Sequence, residues 1–288
     1  MKKRIILSGI HLYDNRIGFS FTNSKINIYN TNLKKNITIK LSENEYGLCL
    51  YQLSNQQILV GTNLGNIYSF ILKKNEYKEK GKFSIIEKRI FKILKHPKND
   101  KLLIVIEGNE IKILNINNFK IDDENIIKDN KITKISNAII KNNKLILFSS
   151  PENIIKFWEY SDNIFKIENK EIQFPCVDWL EGVIIIDDER ILVLGNEKLL
   201  LININNYQSK EIDLNEQFIS LCYMGNNSIL IGGNNKIIQC FINENNNIEI
   251  SNNDIIINEG SLITKFIDLG NRKFVIGTQK GKIFKCGF

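Results

Sequence analysis

Apolar residues along this chain fall into short runs broken by polar turns, and the runs come in pairs. Each pair has one form: an apolar strand, a tight connection usually carrying Gly, Asn or Ser, then a second, alternating strand, which is the pattern of a β-hairpin. Seven copies can be read off: IGFSFTNSKINIYN from Ile17, ILVGTNLGNIYSF from Ile58, LLIVIEGNEIKIL from Leu102, LILFSSPENIIKFWEY from Leu145, ILVLGNEKLLLINI from Ile191, ILIGGNNKIIQCFI from Ile229 and FVIGTQKGKIFKC from Phe274. Upstream of each hairpin lies another apolar segment ending in a turn, as in GLCLYQLSN, FKILKHPKND, ISLCYMGNN and ITKFIDLGN. Between units sits a further strand candidate such as NITIKL or SKEIDL. Each unit therefore reads as four strands, a to d in chain order. No segment of helix length shows a 3.6-residue period free of turn residues, so helix content is expected near zero.

The hairpin starts are separated by 41, 44, 43, 46, 38 and 45 residues. That spacing fits the period of about 40–45 residues of a four-stranded propeller blade and not the shorter ankyrin or leucine-rich repeats. One such sheet cannot bury both faces alone, so each must stack on its neighbours. Strands b and c would then be covered on both faces, which accounts for near-continuous apolar runs such as VIII and ILVLG. The expected fold is all-β, a seven-bladed β-propeller of four-stranded antiparallel blades forming one domain over residues 1–288.

Composition changes this picture little. Hydrophobic residues make up 43% and charged residues 25% of the 288, ordinary for a globular chain with a real core. Asn, Ile and Lys together supply 130 residues against five Arg and three Pro, a skew that AT-rich codons explain. The net charge of +7 comes from lysines scattered over every segment, without the clustered Arg and interleaved aromatics that point to nucleic acid or a membrane surface. The densest basic stretch, KKNEYKEKGK at 73–82, alternates with two Glu and reads as a solvated loop or an edge strand.

Five cysteines, Cys49, Cys176, Cys222, Cys240 and Cys286, are far apart, with no Cys-x-x-Cys pair and no nearby His, so no metal site is expected. An odd number without framework spacing points to reduced thiols and a cytoplasmic or nuclear location. The basic start MKKRIILSGIHLYDN has too short an apolar stretch for a signal segment, and no run approaches the roughly 20 apolar residues of a membrane span.

Trp158 and Glu159 end the c strand in NIIKFWEY, and FKILKHPKNDKLLIVI at 91–106 reads as strand a, a Pro-containing turn and strand b. With these features the chain resembles the WD-repeat (WD40-type) propeller family, the Trp-Glu pair standing where that family has Trp-Asp. The equivalent positions of the other units hold Tyr29, Phe70, Leu114, Ile202, Cys240 and Cys286. The family's Gly-His dipeptide is missing, and neither His11 nor His96 takes its place. The resemblance thus implies the fold but not the His, Asp, Ser/Thr and Trp hydrogen-bonded tetrad that braces standard blades. The paired arginines of phosphoinositide-binding propellers are also absent.

Members of that family usually close with the N-terminal segment as strand d of the last blade. Here the last unit ends with strand c. Either residues 2–7 supply the outer strand and the first unit's strand a is a short piece around residues 10–13, or the last blade has three strands. In the second case the edge from Lys282 to Cys286 could accept a strand from a partner.

No catalytic constellation emerges. Two histidines leave little room for His-based chemistry. Asp187, Asp188 and Glu189 read as an a-to-b turn, Asp122, Asp123 and Glu124 as a c-to-d loop, and neither has the alternating carboxylates and central Gly of a calcium loop. GGNNK at 232–236 reads as a hairpin turn rather than a phosphate loop, because no helix follows. No cofactor is expected. Candidate partner-binding residues are those at the b-to-c tips, Asn63, Asn109, Glu152, Glu197, Asn234 and Gln279, together with Trp179 in PCVDWLEG. Two functions fit: a non-enzymatic scaffold that holds protein partners in a larger complex, or a non-catalytic propeller subunit of an RNA-associated assembly, ribosome-associated or RNA-modifying, with lysines against phosphate.

Overall fold

The computed structural model describes residues 5–174, 181–195, 197–251, 254–257 and 260–287. Seven antiparallel sheets follow one another along the chain, and no helix occurs among the described residues. The first sheet holds β1 (Ile6–His11), β2 (Ile17–Phe21), β3 (Lys25–Tyr29) and β4 (Lys35–Lys40), and the second β5 (Gly47–Ser54), β6 (Gln57–Thr62), β7 (Asn66–Lys73) and β8 (Glu76–Ser84). The third has β9 (Ile90–Lys95), β10 (Lys101–Ile106), β11 (Glu110–Asn115) and β12 (Ile121–Lys128), and the fourth β13 (Ile135–Lys141), β14 (Lys144–Ser149), β15 (Ile154–Ser161) and β16 (Ile164–Gln173). In the fifth are β17 (Gly182–Ile185), β18 (Arg190–Leu194), β19 (Lys198–Asn203) and β20 (Ser209–Asp213). The sixth runs β21 (Phe218–Tyr223), β22 (Ser228–Gly233), β23 (Lys236–Ile242) and β24 (Ile248–Ile250), with β25 (Ile255–Ile256) pairing the start of β23 after β24 has paired its end. The seventh holds three strands among the described residues: β26 (Ile263–Gly270), β27 (Lys273–Thr278) and β28 (Ile283–Gly287).

All seven hairpins read from the sequence are therefore b-to-c hairpins. Register follows the apolar pattern: Ile17 faces Tyr29, Ile58 faces Phe70, and Ile191 faces Ile202. A one-residue slip would carry each apolar set to the wrong face, so burial pins these registers.

Contacts gather the chain into two compact units, residues 1–131 with 280–285, and residues 132–279 with 286–288. In the first unit, Ile26, Ile28 and Ile39 pack with Ile58, Val60, Tyr68 and Phe70, filling the space between the first two sheets. In the second, Ile146, Phe148 and Phe157 pack with Ile191, Val193 and Leu200 between the fourth and fifth sheets. Fully burying one such side chain is worth roughly 1.5–3 kcal/mol, so the stacking of sheets rather than any single sheet holds each unit. The second strands are buried almost throughout, and the third strands of the first six sheets over half or more of their length. The apolar run VIII departs from this expectation: Val183, Ile184 and Ile185 belong to β17, a first strand, and are only half-buried, while Ile186, just beyond it, is buried.

A recurrent bulge marks the entry to the first strands. Register shifts fall between Ile6 and Ser8, Gly47 and Cys49, Ile135 and Asn137, Phe218 and Ser220, and Ile263 and Lys265, and β9 skips Phe91 between Ile90 and Lys92. The extra residue bends and twists the strand as it enters the sheet. In two cases it also anchors itself: Ser136 Oγ donates to the Phe148 carbonyl (2.9 Å) and Thr264 Oγ1 to the Gly277 carbonyl (3.1 Å).

The turns give the asparagine excess a structural role. Of the 20 non-glycine residues with positive φ among the described residues, 13 are Asn, including the pairs Asn142–Asn143 and Asn226–Asn227 in a-to-b turns. Two successive residues with positive φ make the hairpin turn whose twist matches the strands, and Asn tolerates that conformation better than other side chains.

Three expectations are corrected. Residues 122–124 lie in β12 and not in a loop: Asp122 faces Ile113 across the ladder, and its carboxylate accepts from Lys101 Nζ at 2.8 Å. The first strand is longer than the piece at 10–13, because β1 begins at Ile6. Ile6 pairs with Phe21 in the first sheet, Leu7 is the extra residue of the bulge in that strand, and Ile5 exchanges hydrogen bonds with Thr22 (3.1 Å each), so residues 5–7 are not part of an outer strand of the last sheet. Residues 2–4 lie outside the described residues.

Candidate interaction surfaces

The b-to-c tips lie at the ends of their hairpins, and most are tied to the chain's own d-to-a loops. Asn63 accepts from the Tyr46 amide (2.7 Å) and donates to the Asn44 carbonyl (3.3 Å). Asn109 donates to the Asp129 carbonyl at 3.2 Å, and Glu152 accepts from the Thr133 amide and hydroxyl at 2.9 and 2.5 Å. Burial would raise the Glu152 pKa, but these bonds outweigh it and hold the carboxyl below its usual range. Asn234 bridges to Leu262 and the Gln279 amide donates to the Leu262 carbonyl, so their backbones fasten the same kind of loop. Glu197 is exposed, and its carbonyl accepts from the Leu214 amide. Trp179 lies outside the described residues.

One brace was not foreseen. Glu45, in the loop before β5, is fully buried and accepts four hydrogen bonds: from Thr62 Oγ1 (2.8 Å), Asn66 Nδ2 (2.6 Å), Tyr68 hydroxyl (2.6 Å) and Lys82 Nζ (2.9 Å). Burial works to raise its pKa, and the bonds from Tyr68, Lys82, Asn66 and Thr62 together bring it below the usual value. The cluster joins the entry loop to the second, third and fourth strands of one sheet, the task the absent tetrad would perform. The available signal was an acid in SENEYG ahead of strand a, facing T-x-x-x-N-x-Y across the hairpin. Trp158, by contrast, packs between Leu145 and Ile167 at 8% exposure, and its buried indole nitrogen has no hydrogen-bond partner among the described residues. It acts here as apolar bulk, as do its counterparts Tyr29, Phe70, Leu114, Ile202 and Cys240, all buried.

The seventh sheet differs from the rest. Its third strand, β28, is half-buried or exposed at every described position, whereas β3, β7 and β19 are buried over most of their length. No described strand pairs with its outer edge. Cys286 on this strand is half-buried, while Cys49, Cys222 and Cys240 are buried, and burial pushes those three thiols up to about 12. The carboxylate trio at 187–189 is a turn, as its position implied: Asp187 Oδ1 accepts from the amides of Glu189 and Arg190, and the Arg190 guanidinium pairs with the same carboxylate at 2.5 Å.

The arrangement of sheets can be set beside known structures. A chain in the crystal structure of the mitotic checkpoint complex superposes with a TM-score of 0.80 at 10% identity, over 99% of this chain and 86% of that one. The chain has the WD40-type β-propeller fold. The WD40 propeller domain of Doa1 agrees, with a TM-score of 0.76 at 10% identity over 98% of this propeller and 92% of that domain. No protein-family model and no curated relative matches the sequence. Identity this low carries the propeller's architecture and none of its chemistry.

Proposed function

We propose that this propeller is a non-enzymatic scaffold that holds protein partners within a larger complex. The third strand of the last sheet, with no strand beyond it among the described residues, carries this reading. Among the described residues no strand lies beyond β28 (Ile283–Gly287), and such an edge is a template for a strand donated by another chain. The tips at Asn63, Asn109 and Glu152 spend their polar groups on the chain's own loops, which makes them weaker candidates for contact. Propeller relatives in fold include a component of the mitotic checkpoint complex, a multi-protein assembly. The four described cysteines are free, in keeping with a cytoplasmic or nuclear setting.

The test is purification of the tagged protein with light scattering of what elutes. A partner in fixed ratio that survives high salt and ribonuclease is expected. A monodisperse monomer with no companion would refute the scaffold reading, and companions lost to ribonuclease would replace it with the RNA-associated one.

A further inference from the structure

A cleft of about 120 Å³ lies where turns of the fifth and sixth sheets meet, wholly within the second compact unit. That is several times the space one water needs. Two cations tie its walls together. The Arg190 guanidinium, paired with Asp187, donates to Asn246 Oδ1 (2.8 Å) and Asn227 Oδ1 (3.1 Å). Lys210 Nζ donates to the Asn245 carbonyl (2.6 Å) and Asn247 Oδ1 (3.0 Å), and meets no carboxylate among the described residues.

The internal hydrogen bonds spend the acceptors of this cleft and leave its donors. Asn203 Oδ1 accepts from the Asn205 and Asn206 amides (2.9 and 3.2 Å), and Asn206 Oδ1 from the Gln208 amide (3.0 Å). Gln208 Oε1 accepts from Asn206 Nδ2 (3.3 Å), and Asn246 Oδ1 from Arg190. Each of these donors is an N–H group that cannot accept, so none of the four side-chain amides can be turned over. The amide nitrogens of Asn203, Gln208 and Asn246 and the Ser209 hydroxyl have no hydrogen-bond partner among the described residues.

Donors in excess call for a ligand rich in acceptor oxygens. A phosphoryl group offers three and a carboxylate two, and the cleft sets these four donor groups beside Arg190 and Lys210. Its volume is well below that of a site enclosing a whole small molecule, so it takes the charged group and leaves the carrier outside. Charge selects that carrier. Exposed Glu189, Glu211 and Glu244 adjoin Arg190, Lys210 and Asn245 in the chain. They disfavour a polyanion such as nucleic acid or an anionic bilayer, and they suit a phosphorylated side chain flanked by basic residues.

We propose that this cleft binds the phosphoryl group of a phosphorylated Ser or Thr, flanked by basic residues, on a partner protein. This rests on the scaffold reading and names a site and a partner chemistry for it.

The test titrates the purified chain with a short fluorescent Lys/Ala peptide carrying a central phosphoserine, the same peptide with Ser, and a phosphoserine peptide with Glu flanks. The basic phosphopeptide is expected to bind at least about tenfold more tightly than either of the others. It should also shift the side-chain NH₂ resonances of Gln208 and Asn246 in isotope-labelled chain. Gln208→Glu and Asn246→Asp keep the oxygens that accept from Asn206 and Arg190 and replace the free donor by a negative charge. Each should weaken the phosphopeptide about tenfold, with thermal unfolding unchanged.

Equal binding of the Ser and phosphoserine peptides overturns the proposal, as does full affinity in both variants. So does inorganic phosphate that binds as tightly as the phosphopeptide, or tighter binding of oligoadenylate or phosphoinositide vesicles through the same residues. If the Gln208→Glu chain keeps all its cellular partners, the cleft fails as a partner contact while the scaffold reading stands. A chain that binds the phosphopeptide through these residues but purifies without a partner supports the cleft and removes the scaffold.

Discussion

Glu45 is a carboxylate held in the interior by four donors, and its removal is felt in two ways. Glu45→Gln points an amide NH₂ at Asn66 Nδ2 or Lys82 Nζ, both of which can only donate, and this is expected to cost about 2–3 kcal/mol in urea unfolding at neutral pH. Because its folded pKa lies below the unfolded 4.5, its stabilisation is present above 4.5 and lost as pH falls through the folded value; the Gln variant should lack that limb. His96 acts earlier in the acid range. Burial, with Lys101 and Lys98 close by, lowers it from 6.5 to about 4, so the unfolded chain takes up the proton first. Its contribution is complete above 6.5 and falls by about 3 kcal/mol as pH drops towards 4. His96→Asn, whose side-chain oxygen can still accept from the Lys98 amide, should flatten the stability profile in that window. Two glycines separate backbone from packing. Gly65 (φ 76°) would place a Cβ 1.6 Å from the Ile86 carbonyl oxygen, whereas Gly225 (φ 81°) would meet nothing within 4 Å. Gly65→Ala should cost more than about 3 kcal/mol and Gly225→Ala only about 1 kcal/mol, as measured by chemical denaturation.

Among the strands, position in the sheet decides stability and reactivity. Second strands such as β10, β14 and β18 are buried along nearly their whole length, and their amides should exchange slowest, near the global unfolding limit. The edge strand β28 should exchange fastest of the third strands. Cys286 should react with a thiol reagent at mildly alkaline pH well before Cys49, Cys222 or Cys240, read in a Cys176→Ser background by mass spectrometry; equal rates would contradict the openness of that edge. Packing between sheets is tested at Phe157, which is fully buried and meets the Tyr207 ring edge-on at 5.0 Å. Phe157→Ala should cost about 3–5 kcal/mol.

For the molecule as a whole, the +7 charge is spread over scattered lysines, many of them engaged locally, as Lys101 is with Asp122 and Lys156 with Glu171. Affinity of the isolated chain for RNA should therefore be of the non-specific kind, about 10⁻⁴ to 10⁻⁶ M, and should collapse with added salt in a filter-binding series. Tight binding that resists salt would favour the RNA-associated function.

The number of sheets and the identity of every hairpin were legible in the sequence, because covered strands must be apolar and tight turns between them must hold Gly, Asn or Ser. The acids at 122–124 misled because an outer strand, wet on one side, tolerates carboxylates as readily as a loop does. Chain ends were equally ambiguous: residues 5–7 have strand character, but which sheet they join depends on which edge is within reach, and the first sheet takes them. The Glu45 cluster and the bulges at the first strands were fixed only by tertiary structure. Each joins residues from separate strands whose spacing carries no period. Local sequence determines which stretches form strands and turns, while the meeting of buried donors, acceptors and open edges is decided by how those strands pack.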